Sequence, residues 1–375
     1  MNLKQTFDTS STENAFDSAA TTEDIMEIST EYETNEYHND DGKINSRSPL
    51  FNKNPVYKPF RYPWAFDSWL TQQKIIWLPE EVLMNDDIVD WRFVITDDER
   101  DLLMNIFRFF TQSDIEVNNC YMKYYMNVFC PIEIQMMLSA FSNMETIHIH
   151  GYSFLMDTLE IDEGEYTAFL EYKEMKDKWE YLQKYGDYSL RGIAITLARF
   201  GAFTEGLQLF AAFAILMNFQ RFGKMKGMGQ IVAWSIRDET LHMTSMIKLF
   251  HTLIKEHPFI WSDSFEKELM MECKRVVELE DAFIDLAFKG RYVEGISAEE
   301  SKQYIRYIAN RRLKQLGTSP LYTVNENPYP WMEQLQNEFV NFFENRPSEY
   351  SKASTKGNWT DAFSYYEKYA ENNKI

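Results

Sequence analysis

Cysteine is almost missing from this chain. Three occur in 375 residues, Cys120, Cys130 and Cys273, and none pairs as C-x-x-C. An odd, scattered set excludes a disulfide framework and a clustered redox pair, and leaves the cysteines as core fillers. Glycine and proline are also few, at fourteen and eleven. No glycine-rich loop of the P-loop or dinucleotide type is present, so no phosphate cradle is expected. Basic residues are outnumbered, 38 Lys+Arg against 58 Asp+Glu, for a formal charge of −20. A surface this acidic argues against nucleic-acid polymers and against docking on an anionic membrane. Long apolar runs are lacking too. The longest charge-free stretch near the middle, Gly206 to Gln220, has fifteen residues, and a bilayer span needs roughly 20. No apolar signal region follows Met1 to Gln5. The expectation is a soluble, cytoplasmic protein.

The charge is unevenly placed. Residues 1–46 hold eleven acids and two lysines and have no sustained apolar period. This composition predicts a disordered acidic tail. The remainder is 47–345, a helical domain, and 346–375, a polar C-terminal tail. Thr96 to Glu99 reads as a capping box, followed by an apolar pattern from Leu102 to Tyr125. Pro131 suits the first position of a helix running through Met156. A Lys/Glu-rich stretch, Glu163 to Lys184, predicts a peripheral helix. Apolar stretches follow at Leu190–Phe222 and Ile231–Leu253. Ser297 to Glu300 forms a second capping box, and Gly317 should stop that helix. Alternating strand patterns bounded by hairpin turns are lacking. The predicted fold class is all-α, built from long helices that bury their apolar faces on one another.

Acids in apolar surroundings carry the chemical information. Glu145 is the only charged residue between Glu133 and Asp157, and Glu205 the only one between Arg199 and Arg221. Buried, such carboxylates must be neutralised, paired or metal-bound; a lone charge on an exposed stripe is the bland alternative. Two Glu-x-x-His units are present, Glu145–His148 and Glu239–His242. Three residues on a helix put both side chains on one face. Either unit alone carries little weight, but the set is ordered: acid, Glu-x-x-His, acid, Glu-x-x-His. Asp114 precedes Glu145 by 31 positions and Glu205 precedes Glu239 by 34. Each interval is about one long helix plus a turn, which would bring four sites to one level of an antiparallel bundle. This is the donor pattern of ferritin-like dinuclear carboxylate proteins. Four carboxylates and two imidazoles suit iron or manganese, or a mixed pair, better than zinc. His150 is expected to be packed or to support the site from behind, with His38, His251 and His257 structural or solvated.

With these residues in place, the sequence resembles the small, radical-generating subunit of class I ribonucleotide reductase over roughly residues 60–363. The likeness is carried by Phe109-Phe110-Thr111-Gln112-Ser113-Asp114, Met144-Glu145-Thr146-Ile147-His148 and Arg237-Asp238-Glu239-Thr240-Leu241-His242. It implies a ferritin-like bundle with two iron ions held by Asp114, Glu145, His148, Glu205, Glu239 and His242. Tyr152, four residues after His148, matches the tyrosine that becomes a stable radical when O2 oxidises the reduced metals. Trp77, within Ile76-Trp77-Leu78-Pro79, matches a near-surface tryptophan. Asp238 matches the acid that links that tryptophan to a ligand histidine, here His148. Trp64 and Trp69 are assigned to packing. Tyr350 is the choice for a radical relay in the C-terminal tail, with Tyr365 and Tyr366 competing. The resemblance further implies a homodimer, and a large catalytic subunit that the C-terminal tail engages and that supplies the thiols and nucleotide site. The reaction implied is reduction of ribonucleotides, diphosphates favoured, to deoxyribonucleotides. The runner-up is a ferritin-like oxidase or oxygenase acting on a small molecule; an iron store that assembles into a shell is a third reading.

Overall fold

The computed structural model describes residues 48–324 and 326–333. The acidic 1–46 segment, residues 334–375 and the three candidate relay tyrosines Tyr350, Tyr365 and Tyr366 lie outside the described residues. Nine principal helices organise the remainder: α1 Pro63–Lys74, α2 Asp97–Asn119, α3 Ile132–Thr158, α4 Lys173–Leu182 and α5 Leu190–Leu197, then α6 Phe210–Arg221, α7 Lys226–Glu256, α8 Asp263–Phe288 and α9 Ala298–Leu316. Among the described residues the only β pairing is an isolated bridge, Val293 to Ile296.

The helix ends follow local chemistry. Thr96 accepts from the Glu99 amide while the Glu99 carboxylate returns to the Thr96 amide, closing the box that starts α2. Ser262 and Ser297 cap α8 and α9 by accepting from the Phe265 and Glu300 amides, but the expected second box is only half formed, since the Glu300 carboxylate accepts from the Ser297 hydroxyl rather than its amide. Gly317, at φ 97°, ends α9 in the left-handed conformation that glycine adopts without strain. Asp87 accepts from the Gly227 and Met228 amides and so satisfies the start of α7.

Two expected helices differ from the sequence reading. Pro131 is the N-cap of α3, with extended backbone, and the helix runs to Thr158. The Glu163–Lys184 stretch is broken into Glu165–Ala168, a 3-10 turn at Phe169–Glu171, and α4. It is peripheral only in part. Lys178 on α4 is 2% exposed, paired with Glu280 at 2.7 Å and seated between the rings of Phe109 and Phe283.

Two of the long helices also contain π-helical segments, Cys120–Tyr125 after α2 and Ala198–Gln208 between α5 and α6. α2 packs on α3, α3 on α7, α7 on the second π segment and α6, and α6 back on α2. This closed ring is the bundle that holds the site. The 32-residue stretch Leu190–Arg221 is long and apolar enough to cross a membrane, but its most apolar window is entirely buried in the protein. Its hydrophobicity therefore builds the core. Cys120 and Cys273 are buried and unpaired, as core fillers should be, and Cys130 is half-buried. Trp64 and Trp69 pack against the core edge.

Candidate metal centre

The six spaced residues converge. Donor atoms of Glu145, Glu205, Glu239 and His242 lie within 4.8 Å of one another, as do those of Asp114, Glu145 and His148. All six residues are at most 2% exposed. The exposed-stripe alternative for Glu145 and Glu205 is therefore wrong.

The two histidines define two halves. His148 Nδ1 is 3.6 Å from Glu145 Oε2 and 3.2 Å from Glu239 Oε1. His242 Nδ1 is 3.0 Å from Glu145 Oε1 and 3.8 Å from Glu239 Oε2. Each glutamate thus presents one oxygen to each half, which is the placement a bridging carboxylate needs. Asp114 joins the His148 half. Glu205 joins the His242 half, its Oε1 3.7 Å from His242 Nδ1.

The interior atoms of this cluster lack hydrogen-bond partners. Asp114 Oδ2, both oxygens of Glu145, Glu205 Oε2, Glu239 Oε2 and both Nδ1 atoms are buried without one. Buried polar atoms are normally satisfied, and buried charges are paired or bind metals. Here the unsatisfied atoms belong to six residues whose donors gather in two groups sharing Glu145, and they are hard oxygens and imidazole nitrogens. The arrangement is compatible with a dinuclear metal site.

Crowding perturbs every donor. Burial and the charge of Glu145 push Asp114 up, to about 8. Burial also raises Glu205, and raises Glu239 further with the help of Glu145. Burial opposes the charge on Glu145, but His148 and His242 overcome it and hold this carboxyl below the usual range. Burial opposes imidazolium as well, yet the surrounding carboxylates push His242 up to about 10 and raise His148. Without cations, the cluster retains protons to offset its own charge.

The far nitrogens of both histidines are held from behind. His148 Nε2 lies 3.4 Å from Asp238 Oδ2, which also accepts from Trp77 Nε1 at 2.8 Å. His242 Nε2 lies 3.0 Å from Gln72 Oε1, and the Gln72 amide donates to Asp238 Oδ1 at 3.4 Å. Arg237 donates to Asp238 as well. Burial disfavours the Asp238 charge, but His148 and Arg237 hold its carboxyl below the usual range. Trp77 is 3% exposed, while its neighbours Ile76 and Leu78 are about half exposed, so it lies one residue beneath the surface. Gly151 on α3 makes room for it, since a Cβ there would meet the indole at 3.1 Å.

Tyr152 is buried on the Asp114 side and packs edge-on against Phe110, 4.5 Å between ring centres. Burial and the nearby Asp114 push its phenol well above the usual range. His150 departs from expectation. It sits half-exposed on the surface, 2.8 Å from Glu80, away from the cluster. Two residues on from His148 turns it outward.

Several contributors had no motif to reveal them. Gln72 lies on α1, a helix outside the four-part ring. Ser113 donates to Asp114 Oδ1 at 3.1 Å, and Tyr121 donates to Glu205 Oε1 at 2.6 Å. The one available signal was spacing: Tyr121 follows Asp114 by seven residues, two helical turns. Arg312, buried on α9, donates to the Gly206 carbonyl at 2.5 Å. That carbonyl belongs to the π segment carrying Glu205, where the altered backbone pattern favours such an outside donor.

Known proteins resemble this chain in sequence and in fold. The family described as ribonucleotide reductase, small chain, matches residues 54–328. A probable ribonucleoside-diphosphate reductase small subunit of Invertebrate iridescent virus 3 is 42% identical over 338 residues, covering 85% of this chain and 90% of the viral protein. The ribonucleoside-diphosphate reductase subunit M2 of Danio rerio is 29% identical, covering 84% of this chain and 80% of its own length. Among solved structures, the ribonucleotide reductase R2 subunit from Clostridium botulinum has the same fold, with a TM-score of 0.67 at 24% identity over 74% of this chain and 89% of its own. The dimanganese(II) NrdF of Streptococcus sanguinis has a TM-score of 0.62 at 20% identity, covering 73% and 95%. The chain belongs to the ribonucleotide reductase small-chain family.

Proposed function

We propose that this chain generates and stores the radical that starts reduction of ribonucleoside diphosphates on a large catalytic subunit. The observation that carries the proposal is the two-half cluster, with Glu145 and Glu239 facing both histidines. Asp114 and His148 would hold one ion, Glu205 and His242 the other, with Glu145 and Glu239 between them. Iron is our first assignment. Manganese or a mixed pair suits the same donors, and the dimanganese neighbour supports keeping it. When bound, the metal pair supplies, with O2, the oxidising power that Tyr152 requires.

The chain's own residues then have defined tasks. Tyr152 gives up one electron and its phenolic proton and becomes the stored radical. Its apolar wall, including Phe110, keeps water away. Asp238 joins Trp77 to His148 and can hold a proton between the indole N–H and the imidazole. We assign Trp77, Asp238 and His148 to coupled electron and proton movement toward the surface. Beyond it, Tyr350 is our choice of relay in a C-terminal tail that engages the large subunit. A homodimer, O2-dependent activation and a cytoplasmic location complete the reading, with no role for nucleic acid or membrane.

The test is reconstitution with iron(II) and O2, followed by nucleotide reduction with and without the large subunit. Trp77→Phe is expected to form the tyrosyl radical but to lose deoxyribonucleotide production, by 100-fold or more on the scale of a severed essential step (about 3 kcal/mol of barrier). A small-molecule oxygenase would keep its turnover in this variant.

A further inference from the structure

Of the two end carboxylates, Glu205 is held by a phenol, whereas Asp114 shares the Ser113 hydroxyl with the Phe110 carbonyl, 2.9 Å away. Ser113 donates to Asp114, and Tyr121 donates to Glu205. Both oxygens of Glu145 lack any hydrogen-bond partner. Glu205 is thus the cluster carboxylate most directly fixed by a protein hydroxyl, and Glu145 is fixed by none.

The Tyr121 contact is the closer and more constrained of the two. Its side chain comes from the first π segment, on a different helix from Glu205. The ring is 1% exposed and is wedged between Phe141 and Tyr125, at 6.2 and 5.7 Å, with the His242 ring 6.3 Å away edge-on. Few rotamers are open to a phenol so enclosed. Its hydroxyl therefore meets Glu205 Oε1, the oxygen that lies 3.7 Å from His242 Nδ1, at a set point 2.6 Å away, while Oε2 is buried and unpartnered. A carboxylate with one oxygen tied down offers one oxygen to a cation and cannot readily swing to chelate it or bridge.

We infer that Tyr121 is a positioning residue for the metal centre, which sets Glu205 as a one-oxygen terminal donor in the His242 half. This rests on the metal-site reading above. The neighbouring tyrosine is a built-in control: Tyr125 donates to the Thr196 carbonyl, away from the carboxylates.

The experiment is anaerobic titration of the metal-free full chain with Mn2+, followed by electron paramagnetic resonance. Wild type should take up two ions per chain and give a spin-coupled spectrum. Tyr121→Phe, which keeps the ring and its packing, should bind one of the two ions about ten- to a hundredfold more weakly. At intermediate loading it should show an uncoupled single-ion spectrum. Tyr125→Phe should titrate like wild type. In a Glu205→Gln background, Tyr121→Phe should add nothing further, because the two act through one contact. Unchanged affinities and an unchanged coupled spectrum in Tyr121→Phe would overturn the inference, as would full additivity with Glu205→Gln. If wild type itself binds no ions, the metal-site reading fails first, a result distinct from either.

Discussion

At the residue scale, the protein separates two kinds of buried charge. In the carboxylate–histidine cluster, four carboxylates crowd around two imidazoles with no Lys or Arg among the donors. In the Lys178–Glu280 pair, a single cation meets a single anion between two aromatic rings. The second kind is structural, and it makes a direct prediction. Lys178→Met should destabilise the fold by about 3–5 kcal/mol, because Glu280 would be left buried and unpaired. The double variant Lys178→Met/Glu280→Leu should recover most of that loss. Denaturant unfolding of the two variants checks this; equal loss in both would contradict it. The sequence did not reveal this pair, because Lys178 sits in a Lys/Glu-rich stretch that reads as solvated. Glu145 and Glu205 were legible for the opposite reason, standing alone in apolar helices.

At the scale of elements, the long helices were visible in their capping residues and apolar periods, as at Thr96–Glu99 and Ser297–Gly317. The π segments were not. An inserted residue leaves composition and hydrophobicity unchanged and only turns the later side chains about the axis, so nothing in a run such as Ala198–Gln208 marks it. Yet one π segment presents Glu205 and the other presents Tyr121. Gly201 shows how tightly the Ala198–Gln208 segment is seated: a Cβ there would lie 2.5 Å from Met246 Cβ on α7. Gly201→Ala should therefore destabilise by about 1–3 kcal/mol through overpacking. It should also weaken metal uptake by separating Glu205 from His242. Thermal melting and Mn2+ titration measure the two effects, and an Ala variant matching wild type in both would show that the contact relaxes freely.

At the scale of the whole molecule, the net charge of −20 has two meanings. Eleven of the acids lie in residues 1–46, whereas four of the cluster's six donors are acids that cations would neutralise. This leads to a pH dependence. In the metal-free protein His242 is raised to about 10 and Asp114 to about 8, so both retain protons at neutral pH. Metal binding requires the unprotonated donors. Loading near pH 7 should therefore release protons, and affinity should rise as pH increases from 6 to 8. Calorimetry in buffers of different ionisation enthalpy reads the proton count; no release would contradict the assigned protonation. How far the fold and site could be read from sequence also varies with scale. The donor set and Trp77–Asp238–His148 follow from spacing and family likeness, but Gln72 and Arg312 reach the site from helices outside the motif, and only packing brings them there.

The central claim is that this cluster, once loaded, oxidises Tyr152. The most direct measurement adds iron(II) and O2 to the metal-free protein and records metal content and the electron paramagnetic resonance spectrum of wild type and Tyr152→Phe. Wild type should hold two ions per chain and show a tyrosyl radical, and Tyr152→Phe should hold the same metal without that signal. Two bound ions with no radical in wild type, or an unchanged radical in Tyr152→Phe, would contradict the claim.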